Sequence, residues 1–445
     1  MPTKGERVFQ ELLQRISYEP RAPRIAPTVR ALELLGDPSA LFRVIHITGT
    51  NGKTSTSRMA ESLVRAHGLR TGLFTSPHLF KVNERIVIDG EAISDEALAE
   101  NWRDIQWALS MVDEELIASD QKPLTYFEAL TILAVASFAE APIDVAIIEV
   151  GMGGEWDSTN ALFGDVAVFT PISLDHTNRL GRTVAEIAHT KSGILKEGAV
   201  GVSAKQPDEA LDELRERASS VSSQLVVEEL DFGVSNITTA IGGQLVTLRG
   251  LAGEYEPIFL PLFGDHQAQN AAVAVTAVEL LLAADGEMLS ADAVVEGLST
   301  ADSPGRLQLI SKNPSILVDA AHNPAGAAVL SQALVDYFNF PKVIAILAVM
   351  ADKDADGIFA ELQGRVDHAI ISQSHSERAA DAEELRELAE GYFDSVTIEH
   401  DLRQALILGR QLAEETEDAV LLITGSIALV GEATTLVKEL WPNHA

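Results

Sequence analysis

The stretch HITGTNGKTSTSRMAESLV, residues 46–64, decides how the rest of the chain is read. Branched and aromatic residues crowd positions 41–47 and predict a buried strand that ends at Thr48. Gly49, Thr50, Asn51 and Gly52 then permit a tight backbone loop. From Lys53 the apolar positions Met59, Leu63 and Val64 recur at helical spacing up to a stop at Gly68. Strand, glycine-rich loop and helix in that order form an anion cradle. Free backbone N–H groups and the positive end of the helix dipole meet a phosphate, and the Lys53 amine adds charge. Thr54 would place its hydroxyl where a nucleotide-bound Mg2+ needs an oxygen. The common P-loop pattern is G-x-x-x-x-G-K-[ST], but here its first glycine position falls on Ile47. What remains is a shorter G-T-N-G-K-T loop, which argues against a generic kinase or GTPase and for a lineage that uses this variant.

A chain of 445 residues with 46% hydrophobic content should form two or three domains with real cores. It has no cysteine, so disulfides and thiolate metal sites are excluded, and any metal must use oxygen or imidazole ligands. The 66 acidic and 33 basic residues leave a net charge of -33, which repels nucleic acid and anionic membranes. Neither is expected as a partner. Binding an anionic nucleotide must then depend on local cations, which singles out Lys53, Arg306 and bound metal ions. The opening residues MPTKGERVFQELLQRI alternate in charge without an apolar signal core. The longest apolar runs, such as 343–350, fall far short of the roughly 20 residues of a membrane span. A cytoplasmic location is expected. Acidic clusters at 381–384 and 414–418 read as solvated helix surface.

Strand-like runs at 41–47, 73–75, 145–150, 166–172 and 200–204 alternate with helical stretches, the pattern of a mostly parallel sheet covered on both faces. From about residue 224 to 262 short alternating segments with glycine turns predict a small antiparallel sheet, and the long apolar helix QNAAVAVTAVELLLAA follows. The turn-rich LSTADSPGRLQLI places a domain boundary near residue 300, giving domains 1–300 and 301–445. Beyond it, strands at 316–320, 343–350, 369–372, 396–399 and 419–424, each followed by a helical pattern, predict a second, smaller Rossmann-like domain. Its first strand-to-helix turn reads VDAAHNPAG, without the glycine fingerprint of dinucleotide binding.

In IIEVGMGGEWDSTN an apolar strand ends in Glu149. A carboxylate at the ligand-binding end of a parallel strand is costly unless it meets a cation or is bonded to backbone, and the first reading makes Glu149 a metal ligand. The next strand ends in ISLDHTNRLG, placing Asp175 and His176 on the same edge, where the imidazole could serve a second metal. TVAEIAHTKSGILKEG predicts a helix after Gly181 that carries Lys191, which by its residues alone suits a surface position as readily as a functional one. His266, Gln267 and Asn270 open the long helix. Arg306 sits on a turn at the domain junction, and Asp319, His322 and Asn323 lie at the first strand end of the second domain. Capping or turn chemistry explains each singly. Joint placement along one interdomain cleft is harder to explain that way.

These stretches resemble the Mur-ligase superfamily and, within it, the folylpolyglutamate synthase / dihydrofolate synthase family. GTNGKTS, TSPHLFKVNERI, TYFEALT, EVGMGGEWDSTN, DHTNRLG, HTKSGILK, GDHQAQNA, PGRL, DAAHNPAG and TGSIALVGE follow in order from residue 48 to 432. TSPHL and NERI point to the folate branch. The resemblance implies an α/β fold: a P-loop Mur-ligase-type ATPase domain with a small antiparallel sheet, then a smaller Rossmann-like C-terminal domain. It implies ATP-dependent amide formation, in which an acyl phosphate made on a folate carboxylate is displaced by the amine of L-glutamate. Both dihydropteroate and reduced folates are expected as substrates.

Residue by residue, the resemblance implies catalytic roles for Lys53, Glu149, His176 and Lys191. ATP would be held by Gly49 to Ser55, with Asn270, Arg306, Asp319 and His322. Two Mg2+ sites would use Thr54, Ser76 and Glu149, and Glu149 with His176. Lys191 would be carbamylated, although Thr190 stands in HTKSGI where the family usually has a carboxylate. The folate substrate would meet Ser76, Pro77, His78, Asn83, Arg85, Phe127 and Asp157, near Tyr126. The small-molecule partners would be ATP, L-glutamate and the pterin substrate, and a monomer is expected. A muramyl-type ligase would normally carry a further N-terminal domain of about a hundred residues, where here about forty precede the loop. A non-catalytic ATP switch would not need His176, Lys191 and a whole second domain.

Overall fold

The computed structural model describes residues 2–16, 23–338 and 340–442. Its first sheet has eight strands in the order Glu91–Ala92, Ile86–Ile88, Thr71–Phe74, Val145–Glu149, Arg43–Thr48, Val166–Phe169, Val200–Ser203, Leu225–Val227. The strands from Thr71–Phe74 onward run parallel, and the first two extend the sheet antiparallel. Parallel strands buried on both faces read as near-continuous apolar runs, as Val145–Glu149 does.

Three differences from the sequence expectation have local causes. The strand expected at 41–47 begins at Arg43, because Pro38–Leu41 forms a single helical turn that leaves Leu41 70% exposed. The run expected at 166–172 stops at Phe169, before Thr170 and Pro171. The segment Leu225–Val227 was expected in the antiparallel sheet but extends the parallel one. The antiparallel sheet proper holds three strands, Gly233–Ala240, Gly243–Arg249 and Glu254–Leu260.

One face of the large sheet is covered by the helices Lys53–Ala66 and Asp265–Ala283. Met59, Leu63, Ala271, Val275 and Val278 pack there with Val246 and Ile258 of the small sheet. The other face carries Asp95–Ala118 and Tyr126–Glu140, whose Leu109, Leu130 and Leu133 bury Phe74 and Ile148. Tyr126–Glu140 starts at a capping box, with the Thr125 hydroxyl accepting from Glu128 N–H and the Glu128 carboxylate from Thr125 N–H.

The second lobe is a six-stranded sheet ordered Gln308–Lys312, Ser315–Val318, Val420–Thr424, Val343–Leu347, His368–Ile371, Val396–Ile398, antiparallel only at its first pair. Helices fill both faces, giving two separate apolar layers around Leu317, Leu347 and Phe359, and around Ile346, Leu406 and Leu429. In open α/β sheets ligands bind beyond the carboxyl ends of the strands, and both sheets direct such ends toward the cleft between the lobes.

Candidate functional site

A cavity of about 460 Å³ occupies that cleft and is lined from both lobes. Its floor is the loop after Arg43–Thr48. Gly49 (φ +151°) has no room for a side chain, since a Cβ would overlap Thr170 Oγ1 and lie 2.8 Å from the Thr170 carbonyl oxygen. Gly52 (φ +85°) caps the helix Lys53–Ala66 in the left-handed region and brings no side-chain cap. The first amides of that helix are therefore open to a ligand. Lys53 Nζ folds back onto the carbonyl oxygens of Gly49 (3.0 Å) and Thr50 (3.1 Å). Burial lowers its pKa, partly offset by the charges of Glu149 and Asp175.

Glu149, 1% exposed at its strand end, accepts from the Thr54 hydroxyl at 3.0 Å to each oxygen. Burial raises its pKa against the pull of Lys53, the Thr54 hydroxyl and the Ser76 N–H. A buried carboxylate with so few donors suits a cation as its partner. Among the described residues no three His, Asp or Glu side chains gather to bind a metal unaided. Mg2+ is ordinarily held by one or two carboxylates together with substrate phosphate and water, so this donor set fits it.

Asp175 lies where the lobes meet. Lys353 Nζ of the second lobe is 2.5 Å from its Oδ1, while His322 Nε2 and His176 Nε2 stand 3.7 and 3.9 Å from Oδ2. Burial pushes Asp175 up, but His322, His176 and Lys353 outweigh it and hold the carboxyl well below the usual range. His176 takes a left-handed conformation (φ 50°) at the head of the turn Thr177–Leu180. Burial lowers its pKa to about 4, so the ring is neutral at pH 7 and keeps a lone pair for a ligand. Lys191, 4% exposed, donates to Gly49 O at 2.7 Å, and burial together with Lys53 drives its pKa well down.

Further contacts tie the loop to the second lobe. Asn51 and Asn323 exchange amide bonds of 3.2 and 3.0 Å, while Asn323 Oδ1 also caps Gly326 N–H. Asp319 accepts from Leu307 N–H and Ala321 N–H, both at 2.8 Å, and so braces the turn carrying Arg306. Asn270 and Gln267 bond each other at 3.2 Å beside the loop.

The structure thus brings Gly49 to Ser55, Ser76, Pro77, Glu149, His176, Lys191, Asn270, Arg306, Asp319 and His322 to one cavity. His78, Asn83, Arg85, Phe127 and Asp157 do not line it. Arg85 donates to His78 Nδ1 (2.8 Å) and lies over the Tyr126 ring, and Phe127 packs on Phe74. Asn83 is spent on Ile93 O and Asp95 (2.8 and 3.0 Å), so it pins the loop from beneath. Asp157 accepts from Thr159 and Met152. Sequence reasoning missed Lys353. Its signal was the run MADKDADG, where charged residues follow the apolar run that contains the strand Val343–Leu347.

Comparison with known proteins agrees with this geometry. The Mur ligase middle domain matches residues 47–278, and the Mur ligase glutamate ligase domain matches 305–427. The dihydrofolate synthase/folylpolyglutamate synthase of Mycobacterium tuberculosis is 39% identical over 437 residues, covering 93% of this chain and 90% of that one. Crystal structures of the M. tuberculosis folylpolyglutamate synthase complexed with ADP and AMPPCP superpose with a TM-score of 0.92 over 97% of this chain and 98% of that one, at 39% identity. Escherichia coli FolC in complex with DHPP and ADP gives 0.84 at 26% identity, over 99% and 100%. The chain belongs to the Mur ligase family, in its folylpolyglutamate synthase / dihydrofolate synthase branch.

Proposed function

We propose that this chain joins L-glutamate to folate carboxylates at the expense of ATP, acting both as a dihydrofolate synthase on dihydropteroate and as a folylpolyglutamate synthase on tetrahydrofolate-(Glu)n. The observation that carries the reading is the cavity itself. An uncapped helix N-terminus with Lys53, a buried Glu149 and a neutral His176 face His322 of the other lobe across it.

In this reading Lys53 and the N–H groups of Gly49 to Ser55 hold the β- and γ-phosphates, with Asn270, Arg306, Asp319 and His322 around the rest of the nucleotide. The substrate carboxylate oxygen attacks the γ-phosphorus and the bond to ADP breaks. The glutamate amine then attacks the acyl carbon, and phosphate leaves as the amide forms. Positioning and charge neutralisation dominate such transfers. Thr54, Ser76 and Glu149 would hold one Mg2+, and Glu149 with His176 a second. When bound, these ions neutralise phosphate charge.

Lys191 would react as a neutral amine with CO2, releasing a proton and gaining a carboxylate, and its burial favours that neutral form. Ser76, Pro77, His78, Arg85, Phe127 and Asp157 would form the folate side, with Asn83 acting through the loop it pins. The division falls at 300/301, in the stretch between the helix Ala291–Ser299 and the strand Gln308–Lys312. The same reading makes the protein a cytoplasmic monomer serving small molecules and no nucleic acid, in keeping with its charge of -33.

The test incubates purified protein with ATP, Mg2+, radiolabelled glutamate and each pterin separately. Label should enter both products, and phosphate release should require both glutamate and pterin. Incorporation with one pterin alone refutes dual activity. ATPase indifferent to either substrate refutes the ligase.

A further inference from the structure

His46 lies inside the strand Arg43–Thr48 with no exposed surface. An imidazole among valine and isoleucine buries two polar nitrogens, which calls for a reason. Nε2 stands 2.9 Å from Thr159 Oγ1, and Nδ1 has no partner among the described residues. Thr159 Oγ1 in turn lies 2.6 Å from Asp157 Oδ1. A carboxylate only accepts, so the hydroxyl donates to Asp157 and accepts from the ring, which places the ring proton on Nε2. Burial, with Lys196 adding to it, lowers the ring pKa to about 3 and keeps it neutral. The other Asp157 oxygen accepts from Met152 N–H at 3.0 Å. Met152 belongs to the segment 151–153, which lines the cavity directly after Glu149.

We propose that His46 is a positioning residue for the ligation site. Acting through Thr159 and Asp157, it orients the 151–153 turn that forms the cavity wall beside Glu149. A histidine merely filling the strand would be replaceable by any apolar side chain of its size. A positioning histidine is replaceable only by a donor that reaches Thr159.

The test compares His46→Met with His46→Gln, whose amide can still donate, and Thr159→Val with Thr159→Ser. Amide hydrogen exchange at Met152 should be about tenfold faster in His46→Met and Thr159→Val and unchanged in the two conservative variants. Exchange along Val145–Glu149 should stay at the wild-type rate in all four. The kinetic readout rests on the ligase reading: kcat/KM for the pterin substrate should fall about tenfold in His46→Met and Thr159→Val, with no further loss when they are combined. Wild-type exchange at Met152 in His46→Met, equal losses in His46→Gln and His46→Met, or multiplying losses in the double variant would each overturn the proposal. Should His46→Met not fold, Thr159→Val cuts the same relay one bond further on and carries the comparison. Wild-type protein without ligase activity would defeat the ligase reading alone, and the exchange comparison would still decide the role of His46.

Discussion

Replacing Lys353 with methionine isolates the contact that spans the lobes. The ammonium lies 2.5 Å from Asp175, and both side chains are largely buried, at 7% and 10% exposure. Breaking a buried pair by removing one partner costs about 3–5 kcal/mol, because a charge is left uncompensated. Asp175 would retain the amide of Asn323 at 3.4 Å, its bond from His176 N–H at 2.7 Å, and His322 at 3.7 Å. These reduce the expected loss to about 2–3 kcal/mol. Removing both charges in Asp175→Asn/Lys353→Met leaves no orphaned ion, so the double variant should lie no lower than Lys353→Met. Urea denaturation followed by tryptophan fluorescence measures each loss, and the difference gives the coupling. Losses that add to within about 0.5 kcal/mol would show that the two side chains do not act as a pair and would refute the argument.

Lys53→Ala should keep the fold, since its amine bonds only loop carbonyls, yet lower kcat at least about a hundredfold by removing charge at the phosphates; an unchanged rate in a steady-state assay would take Lys53 out of the mechanism. Gly49→Ala should weaken ATP binding and stability together, because its Cβ meets backbone at Thr170 that cannot yield; calorimetric titration at wild-type affinity would contradict this. The folded pKa of His46 is about 3, well below its unfolded value. The unfolded chain therefore takes up the proton first as pH falls, and the folded state loses stability from about pH 6.5 downward, by about 1.4 kcal/mol per unit. Subtracting the stability of His46→Gln from that of wild type across pH 6.5 to 4.5 should recover this slope, and a flat difference would refute it.

What could be read in the sequence was whatever sits where an apolar run turns polar. Glu149 ends its strand, Asp175 and His322 follow the strands that end at Phe169 and Val318, and the loop glycines announce their own geometry. Lys353 follows the same rule but lies three residues beyond a bridge at Met350, amid acidic residues that read as surface. His46 was hidden for a different reason. Inside a strand, one polar residue says nothing about which side chain of a distant segment it meets, and Thr159 is 113 positions away. Leu225–Val227 was misplaced because three apolar residues carry no period that separates a parallel edge strand from the antiparallel hairpin after it. Asn83 was placed beside the folate by the family resemblance alone, and no pattern in the sequence shows that its amide bonds Ile93 O and Asp95.

The charge distribution closes the reasoning about the ligand. Lys53 and Lys191 both donate to the single carbonyl of Gly49, at 3.0 and 2.7 Å. Two amines converge on one oxygen, Lys191 buried and Lys53 half-buried, and the charge of Lys53 is among the causes that lower Lys191. No carboxylate ion-pairs with either among the described residues, whereas Lys353 is neutralised by Asp175. Glu149 and Asp175 offset Lys53 in part, and under the proposed reading phosphate oxygens held by the adjoining helix N-terminus would supply further countercharge. A carbamate on Lys191, under the proposed reading, would turn the repulsion between the two side chains into attraction and leave Lys53 charged for the nucleotide. The overall charge of -33 does not work against this arrangement at close range. At physiological salt, exposed carboxylates are screened beyond about 8 Å, whereas charges that are buried or partly buried in the cavity wall are screened much less.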